Sequence, residues 1–223
     1  MDLTSSVTDK KARVWWAGLH GNHLDGFGGG GASSYSLTQS FGDLDIETPA
    51  ALAEDQKVPG PHTNGHYQKL AFHAARLQRV TERVSLYAAI NGQFASKNLD
   101  ISEKMGLGGP YAVRAYPVGE AYADEGYAAT LEARLLLPKF SEGMPGQMHL
   151  VGFADTGTVT HDKNPWTDAQ NRRTLSGAGV GLTWADYNNF VVNAYWAQKL
   201  DNEVATAAPD KDGRFWIQVV KFF

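Results

Sequence analysis

Long stretches of alternating apolar and polar residues, joined by links that are short and long in turn, constrain this chain more than any other feature. In residues 83–95, Val84, Leu86, Ala88, Ile90 and Phe94 share one side, and Ser85, Tyr87, Asn91 and Gln93 the other. Residues 126–137 set Tyr127, Ala129, Leu131, Ala133, Leu135 and Leu137 against Thr130, Glu132 and Arg134. Residues 189–200 set Phe190, Val192, Ala194 and Trp196 against Asn193, Tyr195 and Lys199. A period of two is that of a strand with two different faces, and helical periodicity fits these windows poorly. Further strands are expected over 12–22, 32–42, 66–77, 147–160, 172–185 and 214–223, nine in all. At about 10–13 residues the long ones exceed the usual soluble strand and suit a tilted membrane strand.

The links sort by length. Short turns are expected near 80–82 and 186–188, with an intermediate one at 138–146, and long polar loops over 43–65, 96–125, 161–171 and 201–213. Short turns on one rim and long loops on the other are the pattern of an outer-membrane barrel. If Phe223 ends at the periplasmic rim, every long loop becomes extracellular. In 172–185 Gly177, Gly179 and Gly181 oppose Ala178, Val180, Leu182 and Trp184, so a glycine row on the lumen face would leave room for something folded inside.

Several function classes fall away. The net charge of −4 offers no basic surface for nucleic acid. No cysteine is present, which excludes a disulfide framework or a cysteine-based zinc site. No run of about 18 apolar residues exists, so no transmembrane helix is expected. The mean hydropathy is negative, a result barrels evade because only alternate residues meet lipid. Gly28 to Gly31 is followed by no Gly-Lys-Ser/Thr, and His20, His23, His62 and His66 lie in loop or strand contexts, so neither a phosphate loop nor a metal site is expected. No nucleophile–base pair stands out; catalysis and cofactors are not expected. Glu120, Asp124 and Glu125 read as solvated loop charges, and Glu132 and Arg134 as lumen polar residues.

Two motifs carry the functional signal. Gly108-Gly109 precedes Val113-Arg114-Ala115-Tyr116, and Phe153-Ala154-Asp155-Thr156-Gly157 follows on a strand. An arginine on a loop and an aspartate on a strand suggest a buried ion pair pinning the loop inside a barrel, since either charge buried alone would be costly. Arginine suits the task because its planar fork can grip a carboxylate bidentately. Asp155 is expected to face the lumen, with Leu150, Ala154 and Thr156 toward lipid. Gly108 and Gly109 are read as turning the backbone through positive φ, and Tyr116 as packing on the barrel wall.

These residues resemble the transporter barrels of two-partner secretion, the family that exports filamentous haemagglutinins and haemolysins. The block from Gly108 to Leu137 is similar to the family's inward-folded loop and next strand, and Phe153, Asp155 and Gly157 match its strand motif. The hairpin from Asp25 to Leu37 is also similar. Ala115 departs from the pattern, where glycine is frequent, and Lys221 interrupts the apolar face of the last strand. The resemblance implies an all-β, antiparallel transmembrane barrel of sixteen strands, preceded by two periplasmic POTRA domains and a plug helix. This chain would be its C-terminal part, and the lack of a signal peptide at Met1 to Ser6 leads to the same expectation.

The implied function is an outer-membrane channel that passes a secreted partner polypeptide, an adhesin or haemolysin, from periplasm to exterior. Arg114 and Asp155 would lock the loop to the barrel. The implied partners also include outer-membrane lipid and, through the terminal aromatic Phe223, the barrel-assembly machinery. Ser85, Asn91, Thr130, Glu132 and Asn193 would let a hydrated chain slide through the lumen. A barrel-assembly factor of the same superfamily is the alternative, and a soluble β-sandwich or ligand-binding barrel a more distant one. The six tryptophans are read either as interfacial girdles or as core residues.

Overall fold

The computed structural model describes residues 8–223. Nine strands form a single antiparallel sheet in chain order: β1 (Lys10–Asp25), β2 (Gly31–Ile46), β3 (Gly65–Arg79), β4 (Val84–Ala95), β5 (Glu125–Leu136), β6 (Gln147–Thr160), β7 (Arg172–Asp186), β8 (Phe190–Lys199) and β9 (Gly213–Lys221). Each strand pairs with its sequence neighbours, an up-and-down meander. All nine strands expected from alternation are present. β1 and β2 run three to four residues further at their ends than the alternation indicates, while β9 stops at Lys221, leaving Phe223 beyond it and exposed.

Connections alternate between rims. Residues 26–30, 80–83, 137–146 and 187–189 turn at one rim; residues 47–64, 96–124, 161–171 and 200–212 form the longer loops at the other. One of these loops holds an element the alternation did not disclose, helix α1 (Pro49–Gln56), with Pro49 in its first turn after Thr48. Proline there costs nothing, because the first helical amides have no partner within the helix. The buried carboxylate of Asp55 ties the loop off by accepting from the amides of Thr63 and Asn64.

The two faces of the sheet differ as a membrane wall requires. Outward stand Leu86, Ile90, Phe94, Leu131, Leu135, Leu150, Val180, Trp196, Phe215, Ile217 and Val219, large apolar side chains left exposed on the isolated chain. An apolar surface so extensive is untenable in water and natural in lipid. Among the described residues no helix is long and apolar enough to cross a membrane; the strands do so.

The other face carries the core. Leu107, Val113, Ala115, Tyr116, Ala121 and Ala123 of loop 96–124 are buried with Ala128, Val151, Phe153, Val159, Leu175 and Ala197 of the wall. The main hydrophobic core thus lies between the barrel wall and a loop folded against it, over β5 to β8.

Candidate functional site

Loop 96–124 descends from the long-loop rim and turns back at residues 107–116. The amide of Val113 donates to the carbonyl of Leu107 (2.9 Å), and that of Gly109 to Tyr116 (3.1 Å), closing a compact bend. The two glycines act differently. Gly109 has φ 108°, the left-handed region that favours glycine. Gly108 does not, contrary to the reading of both as positive-φ positions. It is required by space, since a Cβ there would run into the carbonyl oxygen of Pro117.

Two wall glycines receive the loop. A Cβ at Gly157 would collide with the Leu107 side chain, and one at Gly177 would lie 2.5 Å from the Ala115 methyl. Gly177 faces Asp155 across the β6–β7 register, and Gly179 faces Phe153. A Cβ at Gly179 would lie 2.5 Å from the Phe153 ring. The glycine row therefore accommodates both the loop and the aromatic that lies beneath its arginine.

Arg114 sits at the centre, 4% exposed, beside Asp155 at 2% and Glu132 at 8%. Its Nε and Nη2 donate to the two oxygens of Asp155 at 2.9 and 2.8 Å, a bidentate grip. Its backbone amide donates to Asp155 Oδ2 at 3.1 Å. Nη1 donates to Glu132 Oε1 at 2.8 Å, and Nη2 to the Thr130 hydroxyl at 2.9 Å, which itself donates to Asp155 Oδ1 at 2.6 Å. The guanidinium lies 3.5 Å above the Phe153 ring and 5.0 Å from the Tyr195 ring. Desolvated cation–π stacking of this kind contributes about 2 kcal/mol.

The second carboxylate is balanced in turn. Arg134 Nε donates to Glu132 Oε2 at 2.8 Å while its guanidinium stacks 4.6 Å from the Tyr87 ring. Two arginines and two carboxylates form a neutral network, which is what allows burial. Thr130 and Glu132 face the lumen as expected, but they are committed to Arg114 rather than free to line a path. Their spacing from one another, two residues along one strand face, was the available signal; what they contact was not.

Residues read otherwise from sequence also belong here. Trp216, left open between girdle and core, faces inward, and its Nε1 donates to the carbonyl of Arg114 at 2.7 Å. Trp184 lies on the outer face, packed edge-on against Phe190 at 4.7 Å. Tyr116 does not simply rest on the wall. Its hydroxyl donates to the Asp201 carboxylate, with the Glu203 carbonyl 3.0 Å away sharing the same proton, in loop 200–212.

Glu120 and Asp124 are not solvated charges; both are wholly buried. Asp124 accepts from the amides of Leu99 (3.0 Å) and Lys163 (2.8 Å), with the Lys104 ammonium 3.2 Å away. Burial pushes its pKa up. Burial acts the same way on Glu120, but amides, the Thr206 hydroxyl and Arg173 outweigh it and hold the carboxyl below the ordinary glutamate value. Below the loop tip is an open hollow of about 600 Å³, with His73, Asn91, Tyr111, Asn193 and Gln218 around it.

A membrane-spanning antiparallel wall with a long loop folded inward and clamped by a buried arginine defines a transporter-type outer-membrane barrel. Residues 19–184 match the model of the haemolysin secretion/activation proteins ShlB, FhaC and HecB, and the chain belongs to that family. The heme/hemopexin transporter protein HuxB of Haemophilus influenzae strain 86-028NP is 32% identical over 198 residues, 86% of this chain and 33% of that protein. HuxB of strain ATCC 51907 is 31% identical over the same length. The chain thus spans about a third of the curated relatives it matches. CdiB from Escherichia coli has the same fold, with a TM-score of 0.70 at 21% identity, covering 92% of this chain and 36% of that one. Members of the family are transporters of the Gram-negative outer membrane that act with a secreted partner protein.

Proposed function

We propose that these nine strands are the C-terminal part of a larger, closed sixteen-stranded barrel that conducts a secreted partner polypeptide from periplasm to exterior. Among the described residues β1 and β9 each have one strand neighbour, and lipid does not tolerate an unpaired sheet edge. The surrounding contacts of the assembled barrel are outer-membrane lipid on the apolar face and, during biogenesis, the assembly machinery reading the aromatic Phe223.

The observation that carries the reading is the clamp of Arg114, Asp155 and Glu132, neutralised by the half-buried Arg134, which holds a loop inside the lumen at the cost of burying three charges. A barrel with only a structural role gains nothing from that arrangement; a conduit gains a shaped interior. The work is conduction, without cofactor or bond-making chemistry. The substrate is defined chemically as a long, extended polypeptide able to pass a hydrated, polar lumen.

The test is genetic and biochemical. Deleting the gene in its own bacterium should leave the partner in the periplasm, and restoring the gene should return it to the medium. Undiminished export from the deletion strain would refute the reading.

A further inference from the structure

Loop 96–124 is held twice, and the second hold differs in kind from the first. Arg114 is gripped by strands β5 and β6, parts of the rigid wall. Glu120 is gripped by loop 200–212 and the rim end of β7. Its carboxylate accepts from the Thr206 amide (2.9 Å), the Thr206 hydroxyl (2.7 Å), the Ala207 amide (3.0 Å) and Arg173 Nη1 (2.6 Å). No donor to it comes from its own loop among the described residues. Arg173 extends the hold by donating to the Val204 carbonyl (2.9 Å) and Glu203 (3.2 Å). Tyr116 reaches the same loop through Asp201, and Ala205 of that loop is buried in the core that contains Leu107 and Val113.

We infer that Glu120 is the catch of an exit gate: it fastens loop 200–212 onto the inward loop, and the partner polypeptide leaves only when this pairing opens. The inference rests on the secretion reading. Its physical basis is that the catch is all-or-none. Lifting loop 200–212 removes the Thr206 and Ala207 donors together and leaves a buried carboxylate facing Arg173 alone, so partial opening is disfavoured. A rim loop joined to the inward loop by a buried charge forms a bistable element; loops joined by exposed charges would slide apart gradually. The Arg114 clamp, built on strands, offers no comparable freedom.

These 223 residues hold no cysteine, so within them an engineered pair has no competing thiol. A Cβ built at Gly119 lies 4.0 Å from the Ala207 Cβ, within the disulfide range. The full-length transporter carrying Gly119→Cys and Ala207→Cys is expressed from its own locus, with export measured under oxidising and reducing conditions. Gly119 has φ 82°, so the new side chain is strained; the reduced form carries the same strain and serves as the control. Oxidation should cut export several-fold and reductant should restore it. Glu120→Gln, with unchanged amounts of inserted barrel, should admit vancomycin and lower its inhibitory concentration several-fold. Wild-type export by the oxidised pair, or unaltered vancomycin exclusion by Glu120→Gln, would overturn the gate. Export that persists after gene deletion would instead remove the secretion reading beneath it.

Discussion

The methyl group of Ala115 fills the space that a side chain at residue 177 would occupy: a Cβ there would lie 2.5 Å from it. The loop carries a methyl group at residue 115, and the facing wall position is bare. Gly177→Ala should therefore unseat the loop, at an overpacking cost of about 1–3 kcal/mol. Adding Ala115→Gly should recover most of it. The temperature at which the folded barrel band shifts on semi-native gels reads both effects; equal shifts for the single and double variants would refute the pairing.

Glu132 has no counterpart in the two sequence motifs, yet it neutralises Arg114 and Arg134 together. Glu132→Ala leaves the buried Arg114 short of one carboxylate, beside a half-exposed Arg134 that loses its partner, which costs about 3–5 kcal/mol. Urea unfolding should show that loss. Asp155→Ala should cost at least as much, because it also abandons the Arg114 amide and the Thr130 hydroxyl.

Trp216 tests the tip of the loop separately. Trp216→Phe keeps the ring but removes the donor to the Arg114 carbonyl, at a cost of about 1–3 kcal/mol. The loop should become more accessible to added protease while the strands stay protected. Unchanged cleavage would show that the hydrogen bond does not restrain the loop.

Glu120 gives the account a pH dependence. Its folded pKa lies below the ordinary 4.5, so the unfolded form binds the proton more readily. The stability it contributes is fully present above about pH 4.5 and is lost as pH falls through the lower folded value. Hydrogen exchange at the Thr206 and Ala207 amides should accelerate in that acid range, beyond the intrinsic rate, and the Glu120→Gln variant should lack the extra step.

The strands were legible because alternation is a local property and a lipid-facing wall enforces it over ten or more residues, as in Leu131, Ala133 and Leu135 of β5. Arg114 and Asp155 were legible because a charge between apolar motif residues has few inexpensive places to go. Glu120 and Asp124 were not: their burial comes from loops 161–171 and 200–212 closing over them, contacts distant in sequence with no local pattern. Helix α1 escaped for a related reason. Its Thr48-Pro49 start is a recognisable signal, but the segment lacks an amphipathic stripe. Trp216 was ambiguous because parity in a strand assigns a face only once the register of its neighbours is fixed.

The central claim, that a loop pinned by Arg114 shapes a protein-conducting barrel, is tested most directly by Arg114→Glu in the full-length transporter in its own outer membrane. Reversing the charge sets three carboxylates against one another at the clamp. The account predicts a barrel that still inserts, seen by its heat-modifiable gel band, while the partner polypeptide disappears from the medium. Undiminished export by that inserted variant would contradict it.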